Sequence, residues 1–297
     1  MRYQNPAALE MAVKQAAKAS PLDTNRAVTA FYFHRFLCRI FSNSDYSFVL
    51  KGGQSMLART IDARATRDID LLSSGKTLES ALCELRSLAE IDLGDFVTFE
   101  FINSSPIKAD DDYRSGLVVK FAFYLGSKRM GVLSIDLVAD EVLIEDAELI
   151  TPADRIGITG LEEHDYLGYS VENALADKMC AIIEQHAGRS STRVKDLVDI
   201  VVYALTSEFH GRILSIRLKR ELSIRGLAQP KNFEIPESWR ESQQRTFLRL
   251  YDQTGMSKDF RSIEKSFSLA QRLFNPVLAG NADGLKWDFR LQDWISD

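Results

Sequence analysis

The sequence predicts an α+β fold, in which helices flank a sheet built by the first half of the chain and a helical domain follows. Strand-like runs alternate with helical patterns between residues 48 and 138, whereas the apolar residues after Ser170 recur mostly at helical spacing. The 297 residues, 45% of them hydrophobic, can bury a sizeable core. We predict a core domain with N-terminal helices over residues 1–165 and a helical C-terminal domain over residues 166–297.

Two helices are predicted to open the chain. The first spans residues 6–19 and has a proline near its start. The second runs to Phe41 and is capped by Asp23 or Thr24. His34 lies among the aromatic residues of the second helix, where a core or boundary position is the most common role of a histidine.

Strands and helices then alternate as far as residue 138. Short alternating runs predict the strands, and amphipathic stripes predict the helices. The predicted strands span 48–50, 68–72, 96–101, 117–125 and 132–138, and the predicted helices span 54–61 and 77–90. The three consecutive acids within residues 108–114 are typical of a solvated hairpin loop, so we assign them no metal role.

The second domain is predicted to be helical, with a loop around Pro230 and Pro236. Ser170 can cap its first helix, and the apolar stripe of residues 193–206 predicts the next one. Further helical patterns begin at Gly211 and near Ser238. A last helix is predicted over 258–274, because the following Asn-Pro pair disfavours helical backbone.

The net charge of −5 is distributed unevenly along the chain. Residues 211–297 carry 15 Lys and Arg against 11 Asp and Glu, so the excess of negative charge lies in the preceding part. An acidic metal-binding half joined to a mildly basic half suits a polyanionic substrate.

The cysteines and the N-terminus bear on the cellular compartment. Cys38, Cys83 and Cys180 are far apart and lie in apolar helical contexts, which predicts buried free thiols rather than disulfides or a zinc site. The N-terminus lacks the apolar core of a signal peptide, and no apolar run reaches the length of a membrane span. We therefore expect a cytoplasmic protein without membrane partners.

A glycine turn followed by two acids forms the chemical centre of the first domain. Backbone N–H groups at a glycine turn that opens a helix bind anions, which makes Gly52 and Gly53 a candidate phosphate site. Asp68 and Asp70 lie two residues apart on a predicted strand, so their side chains point to one side. Such carboxylates repel each other unless a cation lies between them, and they suit Mg²⁺. The pattern predicts metal-dependent phosphoryl or nucleotidyl transfer.

Asp136 lies inside an apolar strand pattern, where an unpaired buried carboxylate would cost several kcal/mol. It is either an outward polar residue on a half-buried strand or a third metal ligand. The earlier strand with its paired acids favours the metal ligand.

Lys178 lies on or beside the inward stripe of its helix. Either its long side chain reaches outward to solvent, or it is a fixed cation directed at phosphates, and the spacing favours neither. Arg193–Asp196 and Lys195–Asp199 have the spacing of surface ion pairs. The alternative gives Asp196 a role as a metal partner or as the partner of Lys178.

These motifs together resemble those of the AbiEii/AbiGii (MenT-like) toxin nucleotidyltransferases. The resemblance covers residues 25–205, and the remaining C-terminal third is compatible with the helical domain of that family. Each motif alone is common, whereas the ordered set of four is fairly specific. The four are Lys51-Gly52-Gly53 between strand and helix, Arg64 to Leu71, Ala176-Asp177-Lys178, and Arg193 to Asp199.

The resemblance implies a polymerase-β-like nucleotidyltransferase core, a mixed sheet flanked by helices, with a helical second half that completes the cleft. It implies transfer of a nucleoside monophosphate from an NTP to an acceptor, which is tRNA for some members. It also implies a toxin–antitoxin or abortive-infection system, and therefore a cognate antitoxin as partner.

The family also implies a role for each candidate site residue. Asp68, Asp70 and Asp136 are expected to bind Mg²⁺. The expected phosphate contacts are Gly52, Gly53 and Ser55, the expected cations for the leaving pyrophosphate are Lys178 and Arg64, and Asp196 is expected to orient Lys178 or the base. The wider superfamily often has Gly-Ser at the turn, where this chain has Gly53-Gln54-Ser55.

Two other functions stay open at this point. An antibiotic-type nucleotidyltransferase shares the core chemistry but needs a closed pocket for a polycationic acceptor. A catalytically silent module would keep the fold and bind a nucleotide or a protein partner. The basic residues between Arg217 and Arg225 either steer RNA or form an ordinary solvated helix face, and the solvated face is slightly favoured.

Overall fold

A computed structural model describes residues 3–43, 46–107, 116–140, 147–186 and 188–296. The acid run of residues 108–114 lies outside the described residues. The chain divides into two compact units, which are described separately below. Unit 1 comprises Met1–Ile61 and Ala65–Tyr169, and unit 2 comprises Asp62–Arg64 and Ser170–Asp297. The division after Tyr169 lies four residues beyond the predicted boundary.

Unit 1 is a mixed sheet with helices packed on it, which confirms the α+β prediction. Its helices are α1 (Pro6–Ala19), α2 (Thr24–Ile40), α3 (Gly52–Arg59) and α4 (Leu78–Ala89). Its strands are β1 (Phe48–Lys51), β2 (Asp68–Ser74), β3 (Val97–Pro106), β4 (Gly116–Leu125), β5 (Lys128–Asp140), β6 (Ala147–Ile150) and β7 (Tyr166–Tyr169). Within the described ranges these seven strands form one sheet in the order β3-β4-β5-β2-β1-β7-β6.

The local sequence determines where the first two helices begin. The side chain of Asn5 accepts a hydrogen bond from the N–H of Ala8, and Pro6 occupies the first helical position. The carboxylate of Asp23 accepts hydrogen bonds from two N–H groups of the next turn, so Asp23 is the cap of α2. His34 is buried, and its Nδ1 lies 2.9 Å from the hydroxyl oxygen of Tyr166, which confirms its core position.

The sheet has one apolar face and one face that carries acids. Alternate residues of β2 and β5, such as Ile69 and Ile135, are fully buried in the same core as α1, α2 and α4. The residues between them project to the opposite face, because successive side chains of a strand alternate. Asp68, Asp70 and Asp136 therefore share the face that the apolar core leaves uncovered.

Unit 2 is mainly helical. Its helices are α5 (Val171–Ile183), α6 (Val194–Thr206), α7 (Gly211–Ile224), α8 (Trp239–Ser242), α9 (Gln244–Tyr251) and α10 (Ile263–Leu278), with a short 3-10 helix at Lys258–Phe260. Its strands are β8 (Gln185–His186), β9 (Arg189–Ser190), β10 (Phe209–His210), β11 (Leu285–Asp288) and β12 (Asp293–Ser296). As predicted, the Ser170 side chain caps α5, where it accepts a hydrogen bond from the N–H of Asn173.

Two features of unit 2 differ from the prediction. Short strands that the sequence did not predict lie within the helical domain: β8 pairs with β9, and β10, β11 and β12 form a small antiparallel sheet in which Trp287 is buried. Instead of one helix over 258–274, a 3-10 turn covers Lys258–Phe260, and helix α10 begins at Ile263 and continues through Pro276 to Leu278. Tertiary hydrogen bonds hold this last turn, because Asn275 accepts from the N–H of Phe233 and the Leu278 carbonyl accepts from Gln229.

The cysteine prediction is correct for two of the three thiols. All three are free, and Cys38 and Cys180 are buried, but Cys83 is exposed. Helix α4 turns Ala81, Leu85 and Ala89 to the core, which places Cys83 on its other side. No helix among the described residues has the length and apolarity needed to cross a membrane.

Candidate active site

Three aspartates lie together on the acidic face of the unit 1 sheet. Strands β2 and β5 are parallel neighbours, and their register pairs Asp70 with Asp136 and Asp68 with Ser134. Neighbouring strands lie about 4.8 Å apart, so paired residues present adjacent side chains on the same face. The register therefore brings together Asp68, Asp70 and Asp136, the three metal ligands predicted from the sequence.

Strand β1 extends this row on the other side of Asp70. Lys51, the last residue of β1, is the antiparallel register partner of Asp70. The Nζ of Lys51 lies 5.4 Å from the centroid of the Tyr169 ring, and Tyr169 ends the neighbouring strand β7. An ammonium group and two carboxylates thus belong to one row across β1, β2 and β5. The sequence prediction quoted Lys51 in a motif but gave it no role.

The glycine turn approaches the acids so closely that position 52 has no room for a side chain. Gly52 has a φ of +64°, in the left-handed region that favours glycine. A Cβ built on Gly52 would lie 1.9 Å from Oδ2 of Asp70. At Gly53, a Cβ would lie 3.0 Å from the Cβ of Thr66. The turn and the acids therefore form one packed unit, and Gly52 is needed both for its backbone conformation and for the space it leaves.

Gly52→Ala is expected to lower nucleotidyl transfer by about 100-fold, because the new methyl group displaces the Asp70 carboxylate by an ångström or more. The positive φ adds a loss of about 1–2 kcal/mol in the free energy of unfolding. Steady-state transfer rates and urea unfolding measure the two effects separately.

Two glycines elsewhere provide matched controls for this substitution. Gly280 has a φ of +77°, and a Cβ there meets no described heavy atom within 4 Å, so Gly280→Ala should reproduce the loss of stability without the loss of transfer. Gly157 has neither the positive φ nor a close neighbour among the described atoms, so Gly157→Ala should change neither quantity. Equal transfer rates for Gly52→Ala and Gly280→Ala would contradict the role of the contact with Asp70.

Ser55 lies inside unit 1. Its side chain is 1% exposed, and its Oγ has no hydrogen-bond partner in the part of the chain that the structure describes. A Cβ built on Gly168 of β7 would lie 3.3 Å from this oxygen. The placement gives no support to the predicted phosphate contact of Ser55, because helix α3 turns this residue toward the sheet.

The donor atoms on this face fit Mg²⁺, which prefers oxygen ligands. In the described ranges, no three or more His, Cys, Asp and Glu side chains are grouped closely enough to hold a metal by themselves. Mg²⁺ seldom occupies an all-protein cage and usually binds through one or two carboxylates, substrate phosphates and water. The Asp70–Asp136 pair beside a glycine turn matches that kind of site.

Unit 2 contains a second cluster of charged residues, centred on Lys178 of α5. Its Nζ lies 2.7 Å from Oδ2 of Asp199 and 3.3 Å from Oδ1 of Asp196, and both aspartates belong to α6. All three side chains are buried. Lys178 is therefore a fixed internal cation, and the alternative in which it reaches outward to solvent is wrong.

Two guanidinium groups complete the cluster. Arg64, in the 62–64 segment that belongs to unit 2, donates two hydrogen bonds to Asp199, at 2.8 and 3.0 Å. Arg193 donates to Asp196 at 2.6 Å. The Arg193 side chain is 46% exposed, whereas Lys178 and both aspartates are buried. Since both guanidinium groups already bind a carboxylate, their geometry fixes the aspartates that hold Lys178.

A family model for the nucleotidyl transferase AbiEii toxin of type IV toxin–antitoxin systems matches residues 35–280, which is most of the chain and includes both charged sites. The chain belongs to the AbiEii toxin family. This AbiEii protein is therefore a nucleotidyltransferase toxin, and its family implies an NTP as substrate and an antitoxin as partner.

Solved structures resemble the AbiEii chain along most of their length. JHP933 from Helicobacter pylori is 16% identical with a TM-score of 0.45, and the match covers 84% of this chain and 94% of that one. MenT4, a nucleotidyltransferase toxin from Mycobacterium tuberculosis, is 13% identical with a TM-score of 0.47, over 93% of this chain and 99% of that one. No curated protein sequence matches the chain.

Lys178 and Asp199 of the AbiEii protein stabilise each other's ionised form. Burial alone would lower the pKa of Lys178, but the carboxylates of Asp199 and Asp196 outweigh it and raise that pKa above its ordinary value. Burial would raise the pKa of Asp199, but Lys178 and Arg64 outweigh it and lower that pKa. Lys178 is therefore a cation at neutral pH, and its protonated state suits charge stabilisation rather than proton abstraction.

Asp199 is the site residue whose setting the sequence did not reveal. The i, i+4 spacing predicted a surface pair with Lys195, but Asp199 is 1% exposed and binds Lys178 and Arg64. The predicted Arg193–Asp196 pair does form, although Asp196 is buried rather than at the surface. One feature of the sequence could have indicated the burial of Asp196 and Asp199. Helix α6 is apolar on nearly all sides, so its carboxylates need internal partners.

The basic stretch between residues 217 and 225 of this toxin is not a continuous basic face. Arg217 is buried, and Arg225 binds the carboxylates of Asp177, Glu184 and Glu221. Burial removes Arg217, and these ion pairs remove Arg225, from any RNA-binding surface. Lys219 stays exposed on the same helix.

Proposed function

We propose that this AbiEii toxin transfers a nucleoside monophosphate from an NTP to tRNA in a Mg²⁺-dependent reaction. The observation that carries the proposal is the row of Asp70 and Asp136, with Gly52 packed against the Asp70 carboxylate. It combines a two-carboxylate metal site with the backbone turn that phosphates need. The tRNA acceptor rests on the family resemblance of the motifs.

Asp70 and Asp136 would hold the metal through their carboxylate oxygens, and substrate phosphates and water would complete its ligands. Asp68, which pairs with Ser134 in the register, lies beside this pair on the same face. Bound Mg²⁺ supplies charge stabilisation to the triphosphate and makes an attacking hydroxyl more acidic. The residues of the chain provide the rest. Gly52 and Gly53 offer backbone N–H groups at the start of α3, where an anion is favoured by the helix dipole.

The cluster in unit 2 is assigned the positive charge that the leaving pyrophosphate needs. Lys178 is the catalytic member in this proposal, because two carboxylates hold its ammonium group in a fixed position. Asp196 and Asp199 orient its ammonium group. Arg64 is a positioning residue, since its guanidinium binds both oxygens of Asp199. This revises the role expected for Arg64 as a phosphate ligand.

The proposal is tested by incubating the purified protein with Mg²⁺, total tRNA and each of the four α-labelled NTPs in turn. We expect label in tRNA with at least one NTP, and no label when EDTA replaces Mg²⁺. Transfer in EDTA would overturn the metal requirement. Label found only in protein or in a small molecule would overturn the RNA acceptor, and no incorporation with any NTP would overturn the proposal as a whole.

A further inference from the structure

The position of Lys51 gives it a role beyond those assigned above. We propose that Lys51 binds the triphosphate of the NTP and sets the affinity for that substrate. This inference rests on the proposed function, because it assumes that the aspartate face receives the nucleotide. It concerns unit 1 alone.

The first step of the argument is the row in which Lys51 lies. As the register partner of Asp70, it projects from the same face of the sheet, since directly opposed residues of antiparallel strands present their side chains together. Asp70 is in turn the partner of Asp136. A positive side chain therefore lies one strand away from Asp70, a proposed metal ligand.

The second step is the direction in which the side chain is held. Tyr169 lies on β7, on the side of β1 opposite to β2. The Nζ of Lys51 is 5.4 Å from the centre of its ring, within the range of a cation–π contact. This contact limits the freedom of a flexible side chain. Lys51 is thus bounded by an aromatic ring on one side and a carboxylate on the other.

The third step is the chemistry of the ligand. Lys51 directly precedes Gly52, the residue packed against Asp70, so its backbone is part of the turn that offers N–H groups to phosphates. An NTP brings several negative charges to this face, more than a divalent ion neutralises. A lysine ammonium is a compact point charge with three donors, which suits a polyphosphate that changes shape during transfer.

The test compares wild type, Lys51→Met and Lys51→Arg in two measurements. Calorimetry with inorganic tripolyphosphate and Mg²⁺ should show the Kd of Lys51→Met raised about tenfold or more, the usual effect of losing a charge-assisted hydrogen bond. Lys51→Arg keeps the charge and should restore the affinity to within about threefold of wild type. In the transfer assay, Lys51→Met should raise KM for the NTP more than it lowers kcat.

Lys18→Met is the matched control, because Lys18 is an exposed lysine on α1 of the same unit. It should leave Kd, KM and kcat unchanged. Tripolyphosphate binding by Lys51→Met equal to that of wild type would overturn the inference, provided that urea unfolding shows both proteins folded. If wild type binds tripolyphosphate through Lys51 but transfers no NTP, the proposed function fails while the binding role of Lys51 stands. If wild type transfers and Lys51→Met does so with the same KM, only the inference fails.

Discussion

Asp70→Asn is expected to lower nucleotidyl transfer by about 1,000-fold or more while changing the free energy of unfolding by no more than about 1 kcal/mol. The loss follows from the central place of Asp70, which pairs with Asp136 on one side and Lys51 on the other. An amide keeps the shape of the side chain but removes the charge that binds a metal. A metal ion contributes several kcal/mol to such a transition state, which corresponds to a rate factor of this size.

The stability of this variant distinguishes a functional site from a structural one. Removing the charge of Asp70 relieves its repulsion from Asp136 but also removes its attraction to Lys51. The two effects oppose each other, so the free energy of unfolding should change by no more than about 1 kcal/mol. Glu100→Gln is the control, since Glu100 is an exposed acid on β3 that projects from the same face of the sheet. It should leave transfer unchanged. A large loss of stability in Asp70→Asn would show instead that the row holds the sheet together.

The identity of the acidic face could be predicted from the sequence because strand periodicity is a local property. Asp68 and Asp70 alternate with apolar residues, and so does Asp136 within its own strand. The pairing of Asp70 with Asp136 could not be predicted in the same way. It depends on β5 lying next to β2, although β3 and β4 come between them in the chain. Local patterns do not specify which distant strands become neighbours.

The charged cluster of unit 2 shows the same limit in a helical setting. Helical spacing indicated that Lys195 could meet Asp199, but it did not indicate which side of α6 would be buried. The actual partners of Asp199 lie 21 and 135 positions away, at Lys178 and Arg64. Such distances are set by tertiary packing. A buried carboxylate then takes whichever cations the packing provides.

The small sheet of unit 2 was missed for a different reason. Its strands have two to four residues, which is too short for alternation to be distinguished from a loop. The stacked rings of Phe209 and Trp287, 6.0 Å apart, hold two of them together. Tertiary contacts rather than local propensity therefore produce these strands.

Asp199→Asn is expected to lower the stability strongly, whereas Lys178→Met is expected to lower the transfer activity with little loss of stability. Asn at position 199 leaves Lys178 and Arg64 with one carboxylate fewer in a buried setting, so the free energy of unfolding should fall by about 3–5 kcal/mol. Met at position 178 leaves two balanced pairs, Arg64 with Asp199 and Arg193 with Asp196. That variant should lose about 1 kcal/mol or less, yet its transfer activity should fall by about 100-fold or more.

Urea unfolding and the transfer assay on both variants and on the double variant measure these effects. The double variant should be more stable than Asp199→Asn alone, because it removes the cation that the amide leaves uncompensated.

The pH dependence of stability gives an independent check of the direction in which the pKa of Asp199 is shifted. The pKa of Asp199 is lowered by folding, so its contribution is present above the ordinary carboxyl pKa of about 4 and is lost as the pH falls through the folded value. The stability gap between wild type and Asp199→Asn should therefore stay constant near neutrality and close only in acid. If Lys178→Met proves as unstable as Asp199→Asn, Lys178 is a structural cation, and its proposed role in transfer is wrong.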